Sequence, residues 1–134
     1  MTKATKSTRK PAVTAKAGTL TKRQLPPALK TAIQASLDKK AEGVTVLDLR
    51  AAATFTEYFL IMTGLNSRQT GALAETIERD LKGLNLRPIG TEGAARGEWI
   101  LMDYGWFIVH IFSPASRDYY ALERLWSDAP SLTV

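Results

Sequence analysis

The chain has no cysteine and a single histidine among its 134 residues. Disulfides and thiolate nucleophiles are excluded, and a zinc site would have to rest on His110 and carboxylates alone. The lack of cysteine fits a reducing compartment, and a cytoplasmic location is expected. No apolar run approaches the ~20 residues that cross a bilayer. The longest, Tyr58 to Met62 and Trp106 to Phe112, have the length of strands, and no membrane partner is expected. A Gly-rich phosphate loop ending in Lys-Ser/Thr is missing. So is a pair of carboxylates on one strand that would hold Mg²⁺ for nucleotidyl transfer. A Ser67, His110, Asp103 triad can be drawn, but no nucleophile elbow accompanies it. The expectation is a protein that is not an enzyme and uses no cofactor.

Acids are missing from one region only. Residues 1–23 carry five Lys and two Arg with no Asp or Glu. The rest of the chain holds the other eleven Lys and Arg against all thirteen acids, a net charge of −2. The overall +5 therefore describes a basic tail on a faintly acidic domain. A domain gripping RNA through its own surface would cluster basic residues on one face. A mildly acidic one is better suited to a basic protein.

An apolar content of 45% is enough for one globular core. Residues 1–24 lack aromatics and are rich in Lys, Thr, Ala and Ser, so they are expected to be disordered. They read as a solubilising extension or as a secondary contact to nucleic-acid phosphates, and less well as an Arg-poor transit peptide. The domain is placed at 25–129, with 130–134 as a C-terminal tail.

Pro26-Pro27 followed by Leu29, Ile33 and Leu37 at steps of four predicts an amphipathic helix closed by Gly43. Val44 to Leu49 and Tyr58 to Thr63 read as buried strands. Asn66 with Gln69 is a capping pair, and Leu73, Ile77, Leu81 and Leu84 form the stripe of a second helix ending near Gly83. Leu86 to Ile89 reads as an edge strand and Gly90 to Gly97 as a loop. Glu98–Asp103 and Trp106–Phe112 form a hairpin through Tyr104-Gly105. Ser113-Pro114 opens a short helical tail expected to dock through Tyr119, Leu122 and Trp126. The result is an α/β domain, a mixed sheet covered by helices.

Alternation puts Trp99, Leu101 and Asp103 on one face of their strand. That strip is either core under the C-terminal helix or an exposed anchor for a basic protein. His110 is read as a hydrogen-bonded histidine on the sheet face, sharing it with Trp106 and Ile108.

Several segments, in order, resemble the Iojap/RsfS family: VTVLDLR (44–50), FTEYFLIMTG (55–64), NSRQ (66–69), RPIGTEG (87–93), GEWILMDYG (97–105), VHIF (109–112) and SRDYYALERLW (116–126). The likeness spans residues 28 to 128. The basic extension and Trp106 depart from the family pattern without touching these segments. The resemblance implies a mixed sheet of about five strands with nucleotidyltransferase-like topology. It also implies a factor that binds the fourteenth protein of the large ribosomal subunit. Such a factor blocks small-subunit joining and represses translation when nutrients are short. It favours the exposed reading of the strip, with Trp99 and Leu101 as anchors. Glu92, Glu98 and Asp103 would then be acidic partners, Tyr104 an edge contact and Arg117 a polar contact. Apart from the resemblance, homodimerisation through the sheet or the hairpin is a further expectation, with the same apolar patch able to serve both partners. The rival is a small nucleotidyltransferase-like enzyme using Asp48 or Asp103 with the turn from Gly64 to Arg68, where backbone N–H groups can hold an anion.

Overall fold

In the computed structural model, residues 20–52 and 54–134 are described. The expectation of a disordered tail falls mostly on residues 1–19, outside the described residues. Within 20–24 it fails: Leu20 and Leu25 are buried and a 3-10 turn, Lys22–Gln24, lies between them. Two apolar side chains flanking a basic turn are enough to pin this stretch to the core.

Helix α1 (Pro27–Asp38) has its proline at the first position, where the missing N–H costs nothing. It buries Leu29, Ala32 and Ile33. The chain reverses at Lys40, at φ 63°, rather than at Gly43, which lies inside β1 (Glu42–Asp48). β2 (Tyr58–Thr63) follows, then α2 (Ser67–Lys82). The Asn66 side chain accepts from the Gln69 N–H at 2.9 Å, while the Gln69 side chain accepts from Leu65 N–H at 2.8 Å. The expected cap is thus present, shifted by one residue on its return arm.

β4 (Trp99–Asp103) and β5 (Phe107–Phe112) form the predicted hairpin. β5 lies parallel to β2, with α2 in the crossover, and every other pairing is antiparallel. Among the described residues the sheet has six strands, ordered β3 (Gly90–Glu92)-β4-β5-β2-β1-β6 (Ser131–Thr133). Two of them depart from the sequence reading. β3 is Gly90–Glu92, not Leu86–Ile89, and pairs with Asp103, Met102 and Leu101. Pro88 has no N–H to donate, so pairing starts where Ile89 N–H meets the Asp103 carbonyl at 2.6 Å. Ser131–Thr133, read as tail, is β6, paired with Thr45, Val46 and Leu47. It satisfies the outer edge of β1, which would otherwise leave a row of unpaired backbone groups.

The two sheet faces are unequal. On one, α1 and α2 seal a continuous core with Val46, Leu60, Met62, Ile100, Met102, Val109 and Ile111. Each such side chain contributes about 1.5–3 kcal/mol by leaving water. On the other, Leu47, Leu49, Phe59, Ile61, Ile108 and Phe112 pack with Trp99 and Leu101 and are covered by the C-terminal segment: α3 (Pro114–Tyr120), α4 (Leu122–Leu125) and the turn into β6. Among the described residues no helix is long and apolar enough to cross a membrane.

The β3–β4 connection is held by glycine. Gly93 has φ +84°, and a Cβ there would lie 1.9 Å from the Trp99 carbonyl oxygen. Gly97 is tied to α2, its carbonyl accepting from the Thr70 hydroxyl at 2.8 Å. Gly93→Ala is expected to cost roughly 3 kcal/mol, since it combines a disfavoured φ with a backbone overlap. Urea unfolding checks this; a loss below about 0.5 kcal/mol contradicts the tight approach.

Candidate functional site

The strip lies where the C-terminal segment stops. Because β4 alternates, Ile100 and Met102 face the helices and are fully buried, and Trp99, Leu101 and Asp103 face the other way, half-buried. Register carries the strip across neighbouring strands. Glu92 stands opposite Leu101 on β3; on β5, Phe112, His110 and Ile108 stand opposite Trp99, Leu101 and Asp103. Glu92 is exposed at the outer edge. Trp99, Leu101, Asp103 and Glu92 are therefore brought together as anticipated, forming an apolar strip with an acidic margin.

Trp99 is the most constrained member. Its ring lies 5.0 Å from Phe112 and 4.3 Å from Tyr120 of α3, between centroids. Its indole N–H donates to His110 Nδ1 at 3.1 Å. His110 is buried, edge-on to Phe59 at 4.5 Å, and burial lowers its pKa to about 4. The reading of His110 as a hydrogen-bonded sheet histidine holds. Trp106, expected on the same face, instead packs with Tyr58 and Phe107 against the helix-side core, because it precedes β5 and sits in the turn.

Three other predicted contacts are placed differently. Tyr104 is buried on the helix face, stacked on Phe107 at 4.8 Å, and burial raises its pKa to about 12. The alternation that turns Asp103 outward turns Tyr104 inward, so it is core rather than an edge contact. Arg117 is mostly buried. Its guanidinium pairs with Glu123 and donates to Thr63 Oγ1 at 3.0 Å and Thr45 Oγ1 at 3.4 Å, latching the C-terminal segment to the sheet. Four of its five N–H donors are thus committed within the fold. Glu98 lies outside the strip, exposed, with Arg96 at 3.8 Å, a surface pair worth at most about 1 kcal/mol. Asp103 accepts from Gly105 N–H at 2.8 Å, fixing the hairpin while its carboxylate stays half-exposed.

The C-terminal segment adds residues that the pattern did not assign. Ala121 adopts a left-handed φ of 46°, which breaks the helix in two and shifts its phase. Tyr119, expected to dock, is therefore 82% exposed, and Tyr120 takes the place against Trp99. Leu122 and Trp126 pack on the sheet as anticipated, Trp126 edge-on to Phe59 at 6.2 Å. Two adjacent tyrosines on a seven-residue helix cannot share one buried face, and that was the available signal.

Residues 22–134 match the family model described as ribosomal silencing factor during starvation. The chain belongs to that family. A ribosomal silencing factor from Chromobacterium violaceum is 38% identical over 106 residues, covering 78% of this chain and 87% of the relative. A crystal structure of a protein from the same organism superposes with a TM-score of 0.72 at 37% identity, over 75% of this chain and 83% of the other. A mouse protein named for mitochondrial assembly of the ribosomal large subunit is 27% identical over 66% of this chain and 40% of its own length. The bacterial relative carries the name of a silencing factor rather than of an enzyme. The family's fold is thus present here with a six-stranded sheet.

Two outcomes follow from this geometry. His110 is neutral when folded down to about pH 4 but titrates near 6.5 when unfolded. As pH falls through that window the unfolded chain binds the proton first, so stability drops by up to roughly 3 kcal/mol. Urea unfolding of wild type and His110→Asn at pH 7 and 4.5 isolates this term; identical pH slopes contradict it. Arg117→Ala is expected to cost about 2 kcal/mol and to speed amide exchange mainly over residues 114–134. Exchange unchanged in that segment contradicts the latch.

Proposed function

We propose that this family member holds translation back by docking its β3–β4 strip on the large ribosomal subunit, with the fourteenth large-subunit protein as the contact. The docked domain then stands where the small subunit must sit, and joining fails by exclusion of volume. The observation that carries this reading is the half-open strip of Trp99 and Leu101, edged by Glu92 and Asp103 and only partly covered by the C-terminal segment, where Tyr120 packs on Trp99. Aromatic and aliphatic anchors supply affinity at a partly desolvated centre, and the acids steer a basic partner into register. The name of the mouse relative, which refers to assembly of the large subunit, points to the same particle. The basic residues before Lys22 add a non-specific attraction to rRNA phosphates once the domain is seated.

The enzymatic alternative meets an obstacle at Asp48. Its carboxylate is buried, and both oxygens are engaged by Arg50, at 2.9 and 2.8 Å. A carboxylate held this way is already engaged by a guanidinium on both oxygens.

Co-sedimentation with purified subunits tests the proposal. The wild type should travel with large subunits and not small ones. Leu101→Arg and Glu92→Lys should each weaken this at least tenfold, about 1.4 kcal/mol, with unchanged thermal midpoints. Undiminished binding by both variants would move the site off this strip. A wild type that ignores large subunits would end the proposal.

A further inference from the structure

The imidazole of His110 stands out on its face of the sheet. Its neighbours along β5 on that side, Ile108 and Phe112, are apolar, and so are Phe59 and Ile61 on β2. A leucine or phenylalanine would fill the place without introducing polar atoms. His110 instead buries two nitrogens, and Nε2 has no hydrogen-bond partner. An unmet buried polar atom is a liability that packing alone does not explain.

Its other nitrogen has a definite task. Nδ1 accepts the Trp99 indole N–H at 3.1 Å, so Nδ1 carries no proton and the neutral ring holds its proton on Nε2. Trp99 sits at the boundary between the covered and open parts of the sheet, half-buried, with Phe112 on one side and Tyr120 on the other. Ring contacts confine an indole but leave it free to slide or flip between staggered rotamers. The hydrogen bond to His110 is the one directional contact made by its only polar atom, and it selects one orientation.

We infer that His110 is a positioning residue that locks the Trp99 indole into the orientation in which the strip meets its partner. This rests on the reading of the strip as the docking face. The lock acts before binding, by holding the anchor in its bound rotamer in the free protein, so that ordering need not occur on association. Asn at position 110 can offer its side-chain carbonyl oxygen near the place of Nδ1. Leu cannot.

The test combines a spectroscopic signature with a binding constant. The indole ¹H–¹⁵N resonance of Trp99, assigned by its loss in Trp99→Phe, is recorded in full-length protein together with its exchange rate with water. Affinity for purified large subunits is measured in parallel. In His110→Leu the resonance should shift and exchange at least tenfold faster, and affinity should fall about tenfold. His110→Asn should restore both in large part. If His110→Leu proves unstable, Trp99→Phe supplies the second route, since it keeps an aromatic ring and removes the donor. It should weaken binding by a similar factor, and His110→Asn should add nothing in that background. A resonance and affinity that stay at wild-type values in His110→Leu would overturn the inference. So would an affinity loss with the Trp99 signal unmoved, which would make His110 merely structural. Failure of the wild type to bind at all is a distinct result. It removes the docking reading and this inference with it, whatever the indole signal shows.

Discussion

How far the C-terminal segment reaches across the sheet decides what surface this protein has to offer, and Arg117 sets that reach. The guanidinium joins β1 through Thr45, β2 through Thr63 and α4 through Glu123. Four hydroxyl and carboxylate contacts are concentrated on one mostly buried side chain, and they hold α3 and α4 over the β1–β2–β5 half of the face. β6 anchors the far end by pairing with β1. A segment fixed at both ends reaches as far as Trp99 on β4, through Tyr120, and leaves Glu92 on β3 exposed. The strip of Trp99 and Leu101 stays half-open because the cover is short, and it stays ordered because Tyr120 borders it.

Much of this was legible from the sequence because local and long-range rules agree there. Strand β2 was bounded correctly by its run of apolar residues from Tyr58 to Thr63, and α2 by Asn66 and Gly83. The membership of the strip followed from a period of two along β4, and Glu92 joined it through register. The same rule, carried one residue further, would have placed Tyr104 in the core. What pattern could not supply was partnership between distant segments. Ser131–Thr133 has no strong strand pattern of its own and becomes β6 only because β1 has an edge to satisfy. Arg117 looked like a surface cation, since nothing local reveals that Thr45 and Thr63 converge on it. The break at Ala121 was hidden as well, because alanine rarely takes a left-handed φ.

The division of labour between the faces also frames the proposed mechanism. The helix side carries the continuous core and so most of the stability, while the other side carries a small apolar centre with acids at its margin. A patch of this size need not outcompete the broad contact between ribosomal subunits in affinity. It has only to be occupied first, because two bodies cannot share one volume. Beyond its first 23 residues the chain is faintly acidic, which favours a basic protein surface over bare RNA as the primary contact. The pair between buried Asp48 and exposed Arg50 belongs to the scaffold at the end of β1.

The most direct test is a cryo-electron microscopy reconstruction of the full chain bound to the large subunit. The account predicts density in which Trp99, Leu101 and Glu92 face the fourteenth large-subunit protein, with the domain overlapping the position of the small subunit. Density that places the α1–α2 side, or the basic N-terminal residues alone, against the particle while the strip faces solvent would contradict it.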